Sequence, residues 1–153
     1  MKGIDIQIAS DEACPASNEI EAWVNATLRQ QKSSGSLVIR IVDEPEMTTL
    51  NHHYRKKEKP TNVLSFRCNL PEALRGDILG DIVICASVVA QEANAQGKSF
   101  TQHWAHMVVH GVLHLLGYDH ENDQEATIME RQEVAILSTL GFSDPYRVTN
   151  IHE

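Results

Sequence analysis

The run DILGDIVICA, residues 77 to 86, constrains the fold most, because it is almost continuously apolar. A strand with one wet face alternates polar and apolar residues; this one must be covered on both faces and so belongs at the centre of a sheet with helices on either side. The flanking segments supply those helices. Ile4, Ile6 and Ile8 alternate with polar residues as a half-buried strand. After Pro15, residues Ile20, Trp23, Val24, Thr27 and Leu28 form the stripe of an amphipathic helix. LVIRIVD, residues 37 to 43, reads as a second strand; Pro45 suits a first helical turn, and Met47, Leu50 and Tyr54 keep helical spacing up to a basic run.

Pro60 stops that helix, NVLSF (62 to 66) reads as a third strand, and Pro71 and Gly76 mark a loop. Beyond the central strand a helix runs from about Ser87 to Gln96 and ends at Gly97. Ser99 and Gln102 match a capping box opening the next helix, which should end in a left-handed glycine cap at Gly117. A last helix starts near Asp123 and carries Ile128, Met129, Ile136, Leu137 and Leu140. The order β-α-β-α-β-β-α-α-α predicts an α/β chain: a single small mixed four-stranded sheet flanked by about five helices, one domain over residues 1–153, without internal repeats.

Cys14, Cys68 and Cys85 are odd in number and far apart, which predicts neither a disulfide framework nor a cysteine metal site and suits a reducing cytoplasm. No segment has the length and hydropathy of a signal peptide or a membrane span. A net charge of −8 argues against nonspecific coating of nucleic acid, so a polyanionic substrate needs a local basic patch. NHHYRKKEKPTN contains one, with Arg55, Lys56, Lys57 and Lys59 close together; a solvated loop is the plainer alternative.

HGVLHLLGYDH, residues 110 to 120, carries the chemistry. His110 and His114 lie about one turn apart on one helix face. Gly117 can take positive φ, end the helix and let the following loop bring His120 back to the same ion. Three imidazoles with no thiolate, leaving a fourth position to water, are the donor set of a catalytic zinc. Nickel, copper or iron would also accept it. His106, one turn before the first ligand, is a candidate substrate contact or a hydrogen-bond partner behind the ligands; His103 is expected at solvent. Asp81 is a carboxylate that could stand behind such a site, or serve equally well as a strand-end hydrogen-bond partner. Glu121, Asp123, Glu125, Glu130 and Glu133 crowd the start and middle of the last helix and should confine a polyanionic substrate to the other side.

The same spacing occurs in the long zinc-protease motif, where a glutamate general base follows the first histidine. Here that residue is Gly111, so the scaffold is present without the proton shuttle of a peptidase. Phosphodiester cleavage asks instead for charge stabilisation on phosphate oxygens, which Arg55 can give by bidentate hydrogen bonding. Gly111 also suits a close approach of backbone or substrate.

Together HGVLHLLGYDH, YRKKEKPTNVLSF and LGDIVI resemble the YbeY family of bacterial endoribonucleases over about residues 36 to 140. The resemblance implies a mixed sheet flanked by helices, a zinc-type ion on His110, His114 and His120, and a functional Arg55. It further implies hydrolysis of single-stranded RNA, processing of small-subunit ribosomal RNA ends and a part in late ribosome quality control. The expected function is therefore a metal-dependent endoribonuclease with Arg55 and His114 as catalytic residues. Arg55, Lys56, Lys57, Lys59 and His106 would contact the RNA, with a ribosomal partner and neither DNA nor membrane. Two alternatives stay open: a metal-stabilised ribosome-assembly factor with incidental nuclease activity, and a zinc peptidase whose base comes from Asp81 or Asp119.

Overall fold

The computed structural model describes residues 3–146; residues 1–2 and 147–153 of the expected domain lie outside them. Four strands, β1 (Ile4–Ala9), β2 (Ser36–Val42), β3 (Val63–Arg67) and β4 (Ile78–Cys85), form one sheet in the order β1-β2-β4-β3. β1, β2 and β4 run parallel and β3 is antiparallel to β4, so the sheet is mixed and the apolar run lies in its interior as β4. Among the described residues six helices accompany it: α1 (Ser17–Gln30), α2 (Glu44–Arg55), α3 (Glu72–Arg75), α4 (Ala86–Gln96), α5 (Phe100–Leu115) and α6 (Asp123–Thr139). The helix beyond the expected number is α3, a single turn after Pro71 that is too short to show a hydrophobic period.

Side-chain alternation explains why β4 needs cover on both sides. Ile82 and Ile84 join a large core with α1, α4, α5 and α6, while Val83 and Cys85 join a smaller core with Met47 of α2. The stripe foreseen for α1 is buried as read. β1 is an edge strand, and its Ile8 is half exposed.

Helix α5 is the spine of the larger core: it packs against α1, α4, α6, β3 and β4, and Trp104, Val108, Val112 and Leu113 are fully buried. The Ser99 side chain accepts the Gln102 amide at 3.0 Å and caps the helix. Only half of the capping box forms: the Gln102 side chain turns to Ser143, its Nε2 donating to the hydroxyl at 2.9 Å, rather than reaching back to accept the Ser99 amide. All three cysteines are free thiols. Among the described residues no helix is long and apolar enough to cross a membrane.

Candidate metal centre and cleft

The last turn of α5 delivers the three histidines. Gly117 has φ 108°, its amide donates to the His114 carbonyl at 3.0 Å, and the Tyr118 amide donates to Leu113 at 3.1 Å. This paired-bond glycine cap reverses the chain as the sequence led us to expect. His120 returns to stand 5.5 Å from His110 and 4.9 Å from His114, ring centre to ring centre, with His110 and His114 4.7 Å apart. One potential ligand atom from each lies within 4.8 Å of the others.

A carboxylate stands behind this cluster, and it is Glu133. It is fully buried; one oxygen accepts His110 Nδ1 at 2.5 Å, and the other accepts His106 Nε2 at 3.1 Å and the Tyr146 hydroxyl. Burial alone would raise its pKa, but the hydrogen bonds from His106 and His110 outweigh that and hold the carboxyl well below the usual carboxylate range. An ionised Glu133 is an acceptor only, so the His110 proton sits on Nδ1 and leaves the Nε2 lone pair free. The Tyr146 hydroxyl is pushed up, by burial first and then by the Glu133 charge, and stays protonated as a donor. His114 is pushed down to about 4, by loss of water first and then by His110 and His120, so its ring is neutral at physiological pH. Three close imidazoles, one with its tautomer fixed by a carboxylate and one held neutral, fit a divalent transition ion.

Several placements differ from expectation. Glu133 is not one of the solvated acids of the last helix: Met129, Glu133, Ile136 and Leu137 form the buried stripe of α6, and that helical phase was the signal available in the sequence. His103 is not at solvent but only 3% exposed, bonded to Glu92 of α4 at 2.9 Å. Asp81 is exposed, and strand alternation turns it to the opposite sheet face from Ile82, away from α5. His106 is 6% exposed and engaged with Glu133 and Tyr146, which leaves it behind the ligands rather than among the cleft walls. Burial lowers its pKa, with Glu133 opposing.

Beside the histidines opens a cleft of about 940 Å³, walled by the free edge of β3 and the C-terminal end of α2. Arg55 and the 58% exposed Tyr54 line it with all three histidines; Tyr54 rests on Phe66 at a ring separation of 4.8 Å. Lys56, Lys57 and Lys59 follow on the exposed loop just past α2, and Lys56 ends the helix in a left-handed conformation. Glu130 of α6 and Glu121 just before it also line the cleft, so these acids are not confined to the opposite side. Arg67 and Tyr54, neither given a role from sequence, enter through strand parity and cleft geometry.

Gly111 fits the close approach foreseen for it. A Cβ there would sit 2.9 Å from Cγ2 of the fully buried Ile82, while the Gly111 carbonyl accepts the Ser65 hydroxyl at 3.2 Å. A side chain at this position would point into the sheet, not toward the histidines.

An α/β protein with a three-histidine candidate metal site opening on a cleft edged by basic residues is the class these features define. The family model for the endoribonuclease YbeY matches residues 5–141, and the chain belongs to that family. It is accordingly an endoribonuclease, a hydrolase of phosphodiester bonds acting in ribosomal RNA processing. The solution structure of TM1509 from Thermotoga maritima is similar in fold, with a TM-score of 0.58 and 23% identity over 94% of this chain and 99% of that one.

Proposed function

We propose that the protein is a metal-dependent endoribonuclease that cuts single-stranded ribosomal RNA during maturation of the small subunit and late quality control of the ribosome. The observation that carries this is the convergence of His110, His114 and His120 at a cleft that Arg55 also lines. The three histidines would hold one zinc ion, with nickel or another transition metal as an acceptable substitute. Such an ion, when bound, supplies Lewis-acid polarisation of a phosphoryl oxygen and lowers the pKa of a water.

The chain's own residues do the rest. Glu133 fixes the orientation of His110 from behind. Arg55 forks onto nonbridging phosphate oxygens and neutralises charge that develops there. Tyr54 offers an exposed ring, backed by Phe66, on which an unpaired base can stack. Lys56, Lys57 and Lys59 extend the basic edge along the RNA backbone. A partner at the ribosome and a cytoplasmic location follow from this reading.

The deciding experiment is cleavage of end-labelled single-stranded RNA by zinc-loaded protein, with His114→Ala purified in parallel. Cleavage by the wild type alone supports the proposal; equal cleavage by both assigns the activity to a contaminant. If neither cuts free RNA, a second reading gains: a ribosome-assembly factor that binds without cutting. Glu121 and Glu130 in the cleft favour that reading, because they would repel naked RNA and suit a surface that also meets ribosomal protein. The peptidase reading loses one of its two candidate bases, since Asp81 lies on the other sheet face; Asp119 does line the cleft, but it is paired with Arg67, and Gly111 leaves no carboxylate at the usual base position.

A further inference from the structure

We propose that Arg67 is the positioning residue that holds the glycine turn between His114 and His120 and thereby places the third imidazole. Arg67 ends β3 and, with Val63 and Ser65, faces α5. Its Nε donates to the His114 carbonyl at 2.7 Å and Nη2 to the Tyr118 carbonyl at 3.3 Å. One planar guanidinium thus spans the turn, from a metal-ligand candidate on the helix to the residue two before the next. The His114 carbonyl belongs to the last turn of α5, where no further helical amide serves it; Arg67 and the Gly117 amide share it.

A cation at a helix C-terminus is favourable, but here it also stands beside three imidazoles, where its charge opposes binding of a metal ion. Asp119 moderates that opposition: its carboxylate lies 3.7 Å from Arg67 and 3.8 Å from His114 Nδ1. The other tether of the turn is the Tyr118 hydroxyl, which donates to the side chain of Gln31, just past the C-terminus of α1, at 2.8 Å. Since His120 and Glu121 are exposed, the placement of His120 rests on these few bonds.

The charge of Arg67 and its hydrogen bonds predict opposite signs, and this makes the idea testable. If Arg67 acted only as a charge, Arg67→Met would tighten zinc binding; if it positions the turn, the same change weakens zinc binding about tenfold or more. The zinc arm rests on the metal reading above, so a metal-free arm accompanies it. Amide hydrogen exchange of Gly117 and Tyr118 in zinc-free protein should accelerate at least tenfold in Arg67→Met, with the urea-unfolding midpoint little changed. Arg67→Lys, which keeps the charge but cannot bridge two carbonyls, should show the same direction and carries the test if the methionine variant does not fold. In a His120→Ala background, Arg67→Met should alter zinc affinity by less than threefold, because its target is gone. Unchanged exchange at the turn, tighter zinc binding, or an equal loss in both backgrounds would each overturn the proposal. A wild type that binds no zinc would sink the metal reading while the exchange arm still decides the role of Arg67.

Discussion

Glu133 on α6 accepts a 2.5 Å hydrogen bond from Nδ1 of His110 on α5, and so decides which nitrogen of that imidazole is open to the cleft. The same carboxylate takes His106 and Tyr146, so a single buried charge orders three donors.

Replacing it tests that dependence. Glu133→Gln offers one carbonyl oxygen and an NH₂, so one of the two imidazole N–H groups loses its acceptor and the His110 proton can move to the ligand nitrogen. Zinc affinity should fall about 10- to 100-fold, read by competition with a chromophoric chelator. Glu133→Ala leaves buried donors unpaired and should cost about 3 kcal/mol of unfolding free energy in urea. Unaltered zinc affinity in the glutamine variant would show that His110 needs no orienting partner.

The contact between Gly111 and Ile82 gives a second prediction. Gly111→Ala gains about 1 kcal/mol of helix propensity, but its new methyl meets Ile82 at 2.9 Å in a site with no room to yield. Overpacking of that kind costs about 1 to 3 kcal/mol. The net expectation is a loss of about 0 to 2 kcal/mol by urea unfolding. Gly111→Glu should lose more and acquire no peptidase activity, since its carboxylate would be driven into the sheet. A glutamate variant as stable as wild type would mean that α5 can shift off β4.

What the sequence revealed and hid follows from the range of each interaction. The end of α5 was readable because a glycine cap is local: Gly117 and the spacing to His120 are written within a few residues. The interior place of β4 was readable because both of its faces are apolar. Glu133 was readable in principle from its place in the Met129, Ile136 and Leu137 stripe, yet a glutamate among glutamates carries no local mark of burial. His103 and Asp81 were misplaced for a different reason. Strand parity separates Asp81 from Ile82, but only the packing of α5 says which face holds the histidines, and only α4 supplies Glu92 to His103. Those are contacts between elements distant in sequence, and no periodicity records them.

RNA binding should depend on salt and on one ring. On single strands each phosphate contact contributes about 0.7 to the slope of log K against log salt, so Lys57→Gln should reduce that slope by about this amount if it meets a phosphate. Tyr54→Ala should weaken binding by about 1 to 3 kcal/mol with little base preference, while Tyr54→Phe retains it, because stacking needs the ring and not the hydroxyl. Both are measured by fluorescence anisotropy of a labelled RNA across a salt series. A slope near zero would remove the basic loop from the RNA path, and an equal loss in Tyr54→Phe would make the hydroxyl the contact.

Acid should find the Glu92 and His103 pair on the core side of α5. Burial alone would raise the Glu92 pKa, but hydrogen bonds from His103 and Asn62, with the nearby Lys98 charge, together hold it below its ordinary value of 4.5. A depressed carboxyl stabilises the fold fully above its unfolded pKa and loses that contribution as pH falls through the folded one. The unfolding free energy of wild type should therefore exceed that of Glu92→Gln by about 1 kcal/mol at neutral pH, the size of a charged hydrogen bond partly open to water. The gap should begin to close near pH 4.5 and shrink further as pH falls through the lowered pKa of folded Glu92, where the carboxyl becomes as uncharged as the glutamine. Urea unfolding of the two proteins at about pH 7, 5 and 3 measures it. A gap that stays constant to the lowest pH would mean that the glutamine fails through shape rather than charge, because only a charge effect titrates away with the carboxylate.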